Sequence, residues 1–253
     1  MSLRALINEC TEDAQEALVK ARCKKNGGKL VLISRRRAQT DGDDVQSHTV
    51  SWHIKGLPAN LIITRGKKSF LAIRHEDDTE EMRLIVGRGA PTANRSIVLE
   101  GTVALRALFN NDNGHKGRMY ALASYLRDRA TDYRPDGGYE LVFCAYDCLT
   151  DNSKQMSNIP PPQRHSACRN LVDSSVPHRR PPIFYTDDAH CMNVVYVPHM
   201  LMAQGQVYKD VPPALYGIEC DGLMLFPRYG RHDDNVRIIV EKYEDFDKIL
   251  HQR

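Results

Sequence analysis

The chain has 253 residues, of which 42% are hydrophobic and 26% charged. These proportions are typical of a globular protein with a sizeable core, and they exclude disorder over the whole length. The formal charge of +3, from 35 basic and 32 acidic residues, is too balanced to indicate nucleic-acid binding by itself. No run approaches the roughly 20 apolar residues that span a bilayer, and no apolar signal core opens the chain. We therefore expect an intracellular protein of the nucleus or cytoplasm, with no membrane partner.

The seven cysteines form no CxxC pair, and their odd number does not indicate a disulfide framework. Two His–Cys pairs stand close in sequence, His165 with Cys168 and His190 with Cys191. Their spacing matches no standard zinc finger. We expect no structural metal.

The first 50 residues predict a helix followed by a basic loop. Thr11 can cap a helix that Asn26 and the glycines after it would end. Residues 29–34 predict a short strand. Residues 35–46 are too polar to predict more than a loop, and Arg35, Arg36 and Arg37 make this loop basic.

Residues 51–240 predict one domain of mostly antiparallel strands. Residues 61–64 and 69–74 flank a basic, glycine-containing turn, which predicts a hairpin. The triple proline within the polar residues 150–180 predicts that part of this segment is an exposed loop, and the charged residues 241–253 predict a terminal helix. Few helices among antiparallel strands indicate the α+β class. Residues 96–107 predict either a strand pair or one long strand. Further strands are predicted at residues 82–86, 139–149, 194–202, 223–226 and 236–240.

Residues 216–227, YGIECDGLMLFP, place Glu219 and Asp221 directly before an apolar run. Carboxylates at the mouth of a buried strand are costly unless a ligand, a cation or a basic partner contacts them.

Three strings together resemble one family: VLEGTV at 98–103, YELVFCAYDCL at 139–149 and IECDGLMLFP at 218–227. In this order they resemble the covalent nucleotidyltransferases, in particular the mRNA capping guanylyltransferases. The resemblance implies an α+β nucleotidyltransferase core of mostly antiparallel sheets, of the guanylyltransferase/ATP-grasp-like ligase type, without an OB domain. The family forms a lysyl-GMP intermediate on the lysine of a K-x-D-G string.

The predicted hairpin departs from that string. Placing Gly66 on the family glycine puts Ile63 at the nucleophile and Arg65 at the aspartate. The snurportin-type cap-binding domain, which is similar but catalytically silent, has a comparable hairpin and a preceding tryptophan, matched here by Trp52. The resemblance therefore implies a non-catalytic domain that binds a guanine nucleotide or the capped 5′ end of RNA.

The resemblance also implies a set of binding residues. The hairpin would contact phosphates, Tyr146 and Leu223 would sandwich the base, and Glu219 with Asp221 would either hold Mg²⁺ or pair with the basic hairpin. The basic loops offer surfaces to protein assembly partners. The implied nucleotide- or cap-binding residues are Trp52, Arg65, Gly66, Lys67, Lys68, Glu100, Tyr146, Glu219, Asp221, Gly222 and Leu223.

Two other hypotheses stay open at this point. In one, Lys67 or Lys68 is the nucleophile of a divergent guanylyltransferase. In the other, the chain is a structural subunit that kept the fold and lost the pocket.

Overall fold

The computed structural model describes part of the chain, and the described residues form sixteen strands, one helix and a few of their connections. The described residues are 23–26, 29–32, 35–38, 48–63, 68–74, 82–89, 97–107, 139–152, 154–156, 158–173, 183–185, 191–201, 214–215, 217–229 and 236–240.

The largest group of strands closes on itself. Following the hydrogen-bonded pairings from β5 through β6, β7, β11, β12, β9 and β8 leads back to β5. Every pairing in this circuit is antiparallel except that of β9 with β12. The strands of the circuit are β5 (Leu57–Ile63), β6 (Lys68–Arg74), β7 (Met82–Gly89), β8 (Ile97–Ala107), β9 (Tyr139–Asp151), β11 (Ile183–Tyr185) and β12 (Cys191–Tyr196).

A second layer packs beside the circuit in the order β13, β4, β15, β16, β3. Its strands are antiparallel neighbours up to β16, which pairs in parallel with β3. Short strands complete the description, β10 beside β9, β14 beside β15, and the β1–β2 hairpin. These elements are β1 (Cys23–Asn26), β2 (Lys29–Leu32), β3 (Arg35–Ala38), β4 (His48–Ile54), β10 (Lys154–Gln155), β13 (Met200–Leu201), β14 (Ala214–Leu215), β15 (Ile218–Pro227) and β16 (Val236–Val240).

Two hydrophobic cores share the strands β8 and β9. Successive side chains of a strand point to opposite faces, so Leu99 and Phe143 enter one core while Ala104 and Val142 enter the other. The first core fills the inner face of β5, β6, β8, β9 and β12. The second lies between β8–β9 and β4–β15. Both faces of β9 are buried, which explains its nearly continuous apolar sequence.

The helix α1 (Pro161–Val172) begins within the triple proline, where a proline in the first turn costs no hydrogen bond. Its Arg164 side chain is 2% exposed and binds Asp147 of β9, which is 1% exposed. The Nε atom lies 3.0 Å from Oδ1, and Nη2 lies 2.9 Å from Oδ2. The Nη1 atom donates to the Ile159 carbonyl at 2.7 Å. This two-pronged ion pair fixes α1 against β9.

Most predicted strands are confirmed. The hairpin is β5–β6, residues 82–86 lie in β7, residues 97–107 form the single strand β8 rather than a strand pair, and residues 139–149 and 236–240 lie in β9 and β16. The described residues lie mostly in antiparallel strands, together with one helix, as expected of the predicted α+β class.

Two predictions were wrong. Residues 23–26 are strand rather than the end of a helix, because they pair with β2. Residues 35–38 are strand rather than loop, because β16 supplies their partner. The helix α1, Pro161–Val172, was not predicted; it lies within the segment that was expected to be partly loop. The predicted helices at the chain's beginning and end lie outside the described residues. Among the described helical residues, none form a segment long and apolar enough to cross a membrane.

Removing one partner of the Arg164–Asp147 pair should destabilise the fold strongly. Arg164→Ala leaves a buried, uncompensated carboxylate, so we expect a loss of about 3–5 kcal/mol in the free energy of unfolding by urea titration. Arg169→Ala is the matched control, because its side chain is 66% exposed and its pair with Asp173 spans 3.9 Å; it should cost at most about 0.5 kcal/mol. Equal losses in the two variants would contradict this role of Arg164.

Burial raises the pKa of the thiols of Cys144, Cys148 and Cys168 above its ordinary value. The folded state therefore disfavours the thiolates, and stability that is present below about pH 8.5 should fall as the pH rises through and above that value. Urea titrations at about pH 7 and about pH 10 measure the difference, which Cys168→Ala should reduce.

The burial of these three cysteines also predicts that they do not react in the folded protein. Native-state alkylation with peptide mapping should leave them unlabelled; rapid labelling would contradict their burial.

Candidate functional site

A row of polar side chains crosses the middle of the circuit. Asn60 of β5 is the register partner of Glu100 of β8, and Thr102 follows on the same face. Asn60 and Thr102 are fully buried, and Glu100 is 2% exposed. We call Asn60, Glu100, Thr102 and the adjoining Tyr146 the polar row. Buried polar groups cost free energy unless they serve a partner, so this row is the first candidate for a site.

Glycines allow the backbones around the row to approach closely. A Cβ atom on Gly101 would lie 2.2 Å from the carbonyl oxygen of Cys144, where β8 meets an irregularity in its pairing with β9. A Cβ atom on Gly56 would lie 2.2 Å from the carbonyl oxygen of Val103. Neither distance is sterically allowed, so any larger residue would force the strands apart.

Tyr146 is held at both ends. Its hydroxyl lies 3.0 Å from Thr102 Oγ1, and its carbonyl oxygen accepts a hydrogen bond of 2.9 Å from His199 Nε2. The Tyr146 ring lies 5.9 Å from the Phe226 ring and is fully buried in the second core. That core also contains Trp52 and Leu223. The structure thus brings these three predicted residues together, as packed core side chains; their contact with a base stays a prediction.

His199 joins this region to α1. Its ring stacks on that of His165 at 3.6 Å with an interplanar angle of 16°, and both rings contact Phe226 edge-on. Because a carbonyl oxygen only accepts, the hydrogen bond to Tyr146 requires the proton of His199 to be on Nε2. The stacked pair fixes the position of α1 beside the polar row.

Asn60 differs from the rest of the row. Within the described structure neither its Oδ1 nor its Nδ2 atom has a hydrogen-bond partner. An unsatisfied buried amide costs about 1–3 kcal/mol, and in native proteins such a group calls for an explanation. A ligand that supplies one donor and one acceptor would satisfy both atoms.

An ion pair lies at one end of the row. Lys55 stands in the bend between β4 and β5, and its ammonium contacts Glu219 Oε1 on β15. The Lys55 backbone N–H also donates to the Glu219 carbonyl oxygen at 3.0 Å. Beyond it, Arg106 of β8 contacts Glu140 of β9. We call Lys55, Glu219, Arg106 and Glu140 the charged rim; their side chains are roughly one quarter to one third exposed.

The carboxylate string itself contains a bulge. The register between β15 and β4 shifts between Cys220 and Leu223, and Gly222 there has a φ of 150°, a backbone conformation that favours glycine. The side chain of Asp221 is outside the description. The described residues offer no group of three or more His, Cys, Asp or Glu side chains around a metal position. Glu219 contacts the Lys55 ammonium, and a Mg²⁺ site formed with Asp221 stays a prediction.

The predicted hairpin end lies elsewhere. Lys68 begins β6 just beyond Ile63, the last residue of β5, whereas Lys55 precedes the first. The length of β5, about 20 Å, separates the two places. Glu219 contacts Lys55 at the beginning of β5, and its contact with the basic hairpin turn stays a prediction. In register, Lys68 is the partner of Arg88 on β7. Arg65, Gly66 and Lys67 lie outside the described residues.

Lys55 is the functional candidate that the sequence reading missed. The lysine was sought inside the hairpin turn, three residues before Gly66. Lys55 instead precedes the whole hairpin, directly before Gly56. A lysine–glycine pair between two apolar strands was the available signal, but only the fold shows that it meets Glu219.

Comparison with known proteins gives distant likenesses. No protein-family model matches the chain, and no curated protein matches it. Among solved structures, it is similar to a mycobacterial DNA ligase D complexed with ATP and MES, at 12% identity over 81% of this chain and 60% of that chain, with a TM-score of 0.44. The ligase domain of LigD from M. tuberculosis gives 13% identity over 81% and 57%, with a TM-score of 0.43.

A third similar structure is a Lig E DNA ligase, at 14% identity over 82% of this chain and 68% of that chain, with a TM-score of 0.35. The chain thus spans about 60% of the length of the two ligase D structures. We draw neither function nor site from likenesses this weak.

Asn60→Leu separates a functional amide from a packing residue. Leucine has a similar volume and removes two unsatisfied polar atoms, so we expect the free energy of unfolding to rise by about 1–3 kcal/mol. Thermal and urea unfolding measure it. Thr102→Val is the matched control, because its hydroxyl is bonded to Tyr146 and its loss should destabilise the protein by about 1 kcal/mol. A destabilised Asn60→Leu variant would show that the amide is satisfied in solution.

Proposed function

We propose that this chain is a nucleotidyltransferase-like domain that binds a guanine nucleotide, or the capped 5′ end of an RNA, along the polar row. One observation carries the proposal. Lys55 and Glu219, which lie far apart in sequence, meet at the end of a row of buried polar groups. The three sequence strings that resemble the guanylyltransferases supply Glu100, Tyr146 and Glu219 to this same region.

The charges of the rim suit a nucleotide's phosphates. Lys55 and Arg106 are cations that now contact carboxylates, Glu219 and Glu140 respectively. A di- or triphosphate would exchange those contacts for stronger, multiply charged ones. Their partial exposure gives phosphates access from solvent, whereas the polar row is closed. The phosphates therefore belong at the rim and the nucleoside belongs toward the row.

The unpartnered amide of Asn60 suits a base edge. Its Nδ2 donates and its Oδ1 accepts, which matches the adjacent acceptor and donor on the edge of a purine. Either purine offers such a pair, so the guanine preference rests on the resemblance to guanylyltransferases. Because Asn60 is fully buried, binding requires the layer over the row to open. The energy of the new hydrogen bonds offsets part of that opening.

Lys55 also favours a second candidate function, a divergent nucleotidyltransferase. In it, neutral Nζ would attack the α-phosphorus, a P–N bond would form, and the P–O bond to pyrophosphate would break. The ammonium would lose one proton to solvent before attack, and the nitrogen would lose a second to solvent as the P–N bond forms. The residues after Lys55 are Gly56, Leu57 and Pro58, so the Asp and Gly of K-x-D-G are absent. As an ion-paired ammonium, Lys55 binds rather than attacks, and we prefer the binding function.

Titration calorimetry with GTP and with a cap analogue tests the binding function. We expect binding that Lys55→Ala weakens about ten-fold or more, the effect of losing one charge-assisted contact to phosphate. Asn60→Leu should weaken binding while stabilising the fold. Lys154→Ala is the matched control, because this exposed lysine on β10 is remote from the rim.

Incubation with α-labelled GTP and Mg²⁺, followed by denaturing electrophoresis, tests the covalent alternative. We expect no labelled band. A band that Lys55→Ala abolishes would establish the transferase, and one that persists in that variant would place the nucleophile elsewhere, Lys67 and Lys68 being the next to substitute. Absence of both binding and label would favour a structural subunit.

A further inference from the structure

Several arginines that are distant in sequence converge at one end of the second layer. β15 ends at Pro227, and its antiparallel neighbour β16 begins at Val236. β3 runs parallel to β16 and begins at Arg35, the register partner of Val236. The end of β15 and the beginnings of β16 and β3 therefore lie side by side. They bring together residues from both ends of the sequence.

The register places positive residues in adjacent positions there. Arg36 of β3 is the direct partner of Arg237 of β16, and Arg35 and Arg37 flank Arg36. Among the described strands β3 pairs with β16 alone, so it forms the edge of this layer. The sequence reading took these three arginines as part of a solvated loop. Strand alternation puts Arg35 and Arg37 on one face of β3, and Arg36, with Arg237 in register beside it, on the other. These four residues make this edge basic on both faces.

An exposed aromatic residue lies at the same end. Tyr229, two residues after the end of β15, is 69% exposed and is the exposed large hydrophobic side chain of the described structure. The guanidinium of Arg228 lies 5.8 Å from the centre of its ring. A cation near a ring favours a defined ring position. Its exposure leaves the Tyr229 ring accessible to a planar partner.

We propose that Tyr229, Arg228 and the basic edge of Arg35, Arg36, Arg37 and Arg237 bind single-stranded nucleic acid. The arginines would contact phosphates, and the Tyr229 ring would stack on a base, the combination used by proteins that bind single strands without reading sequence. An acidic protein would satisfy the arginines as well, but it would not need an exposed ring. Aromatic and basic groups together therefore favour the nucleic acid.

This surface is separate from the candidate nucleotide site. Glu219 lies near the beginning of β15 and Arg228 follows its end, and the ten residues of β15 span about 30 Å. A strand bound at this surface would need several nucleotides to reach the charged rim. The inference rests on strand register and on Tyr229, and it stands whether or not the rim binds a nucleotide.

Fluorescence anisotropy with the full chain tests the proposal. The probe is a fluorescein-labelled oligouridylate of about 12 nucleotides, titrated at several KCl concentrations. We expect Tyr229→Ala to weaken binding about ten-fold and Tyr229→Phe to retain it, because stacking needs the ring and not the hydroxyl. Arg36→Ala and Arg237→Ala should each lower the slope of log Kd against log salt by about 1.

Arg169→Ala is the control, since it removes an exposed arginine of α1 and should change neither the affinity nor the slope. The proposal would be overturned if Tyr229→Ala bound the oligouridylate as tightly as the wild-type chain, or if the wild-type chain did not bind it at low salt. Competition by polyglutamate equal to that by unlabelled RNA would show an acidic-protein surface instead. Measuring GTP binding by the same variants separates the two proposals, because Tyr229→Ala should leave it unchanged and Lys55→Ala should leave RNA binding unchanged.

Discussion

The buried ion pair between Arg164 and Asp147 is the constraint on which the site region depends. A carboxylate inside an apolar strand needs a fixed positive partner, and only a residue of another element supplies one here. Arg164 does so from α1, with bidentate geometry that lysine does not reproduce. Once α1 is fixed in this way, His165 stacks on His199, and His199 holds the carbonyl of Tyr146. The pair thus determines the position of the polar row's aromatic member.

The β8 members of the polar row lie on the face of β8 that points away from the first core, since Glu100 and Thr102 alternate with Leu99 and Val103. Replacing Asn60 by an apolar residue would stabilise the fold, because both polar atoms of its buried amide are unpartnered. Polar residues retained at such a cost are characteristic of sites that exchange stability for binding. Gly101 fits the same explanation. Because it has no side chain, β9 can approach β8 closely, and the Tyr146 hydroxyl reaches Thr102.

The sequence predicted the parts of the fold that local pattern determines. The apolar runs of β8 and β9 and the hairpin of β5 and β6 follow from residue type and turn chemistry. β3 could not be predicted, because three arginines become a strand only when β16 is beside them. The helix α1 was missed because the triple proline, which reads as loop, is also compatible with a helix start. Tertiary context overrode local propensity in both cases.

The sequence indicated the types of residue in the candidate site better than it indicated how the strands bring them together. Tyr146 and Leu223 share one hydrophobic core, and Glu219 contacts Lys55. The turn of the basic hairpin lies outside the described residues, so its place in the site stays a prediction. Lys55 was overlooked because a spacing rule tied the lysine to the turn. Spacing along a chain does not determine which strands become neighbours, and the contact with Glu219 exists only through the pairing of β4 with β15.

The parallel pairing of β3 with β16 has a consequence for how the chain folds. It joins residues 35–38 to residues 236–239, which are far apart in sequence, so its loop-closure entropy is large and its contact order is high. The hairpins close much shorter loops. The pairing that forms the basic edge therefore costs more chain entropy than any of the hairpins.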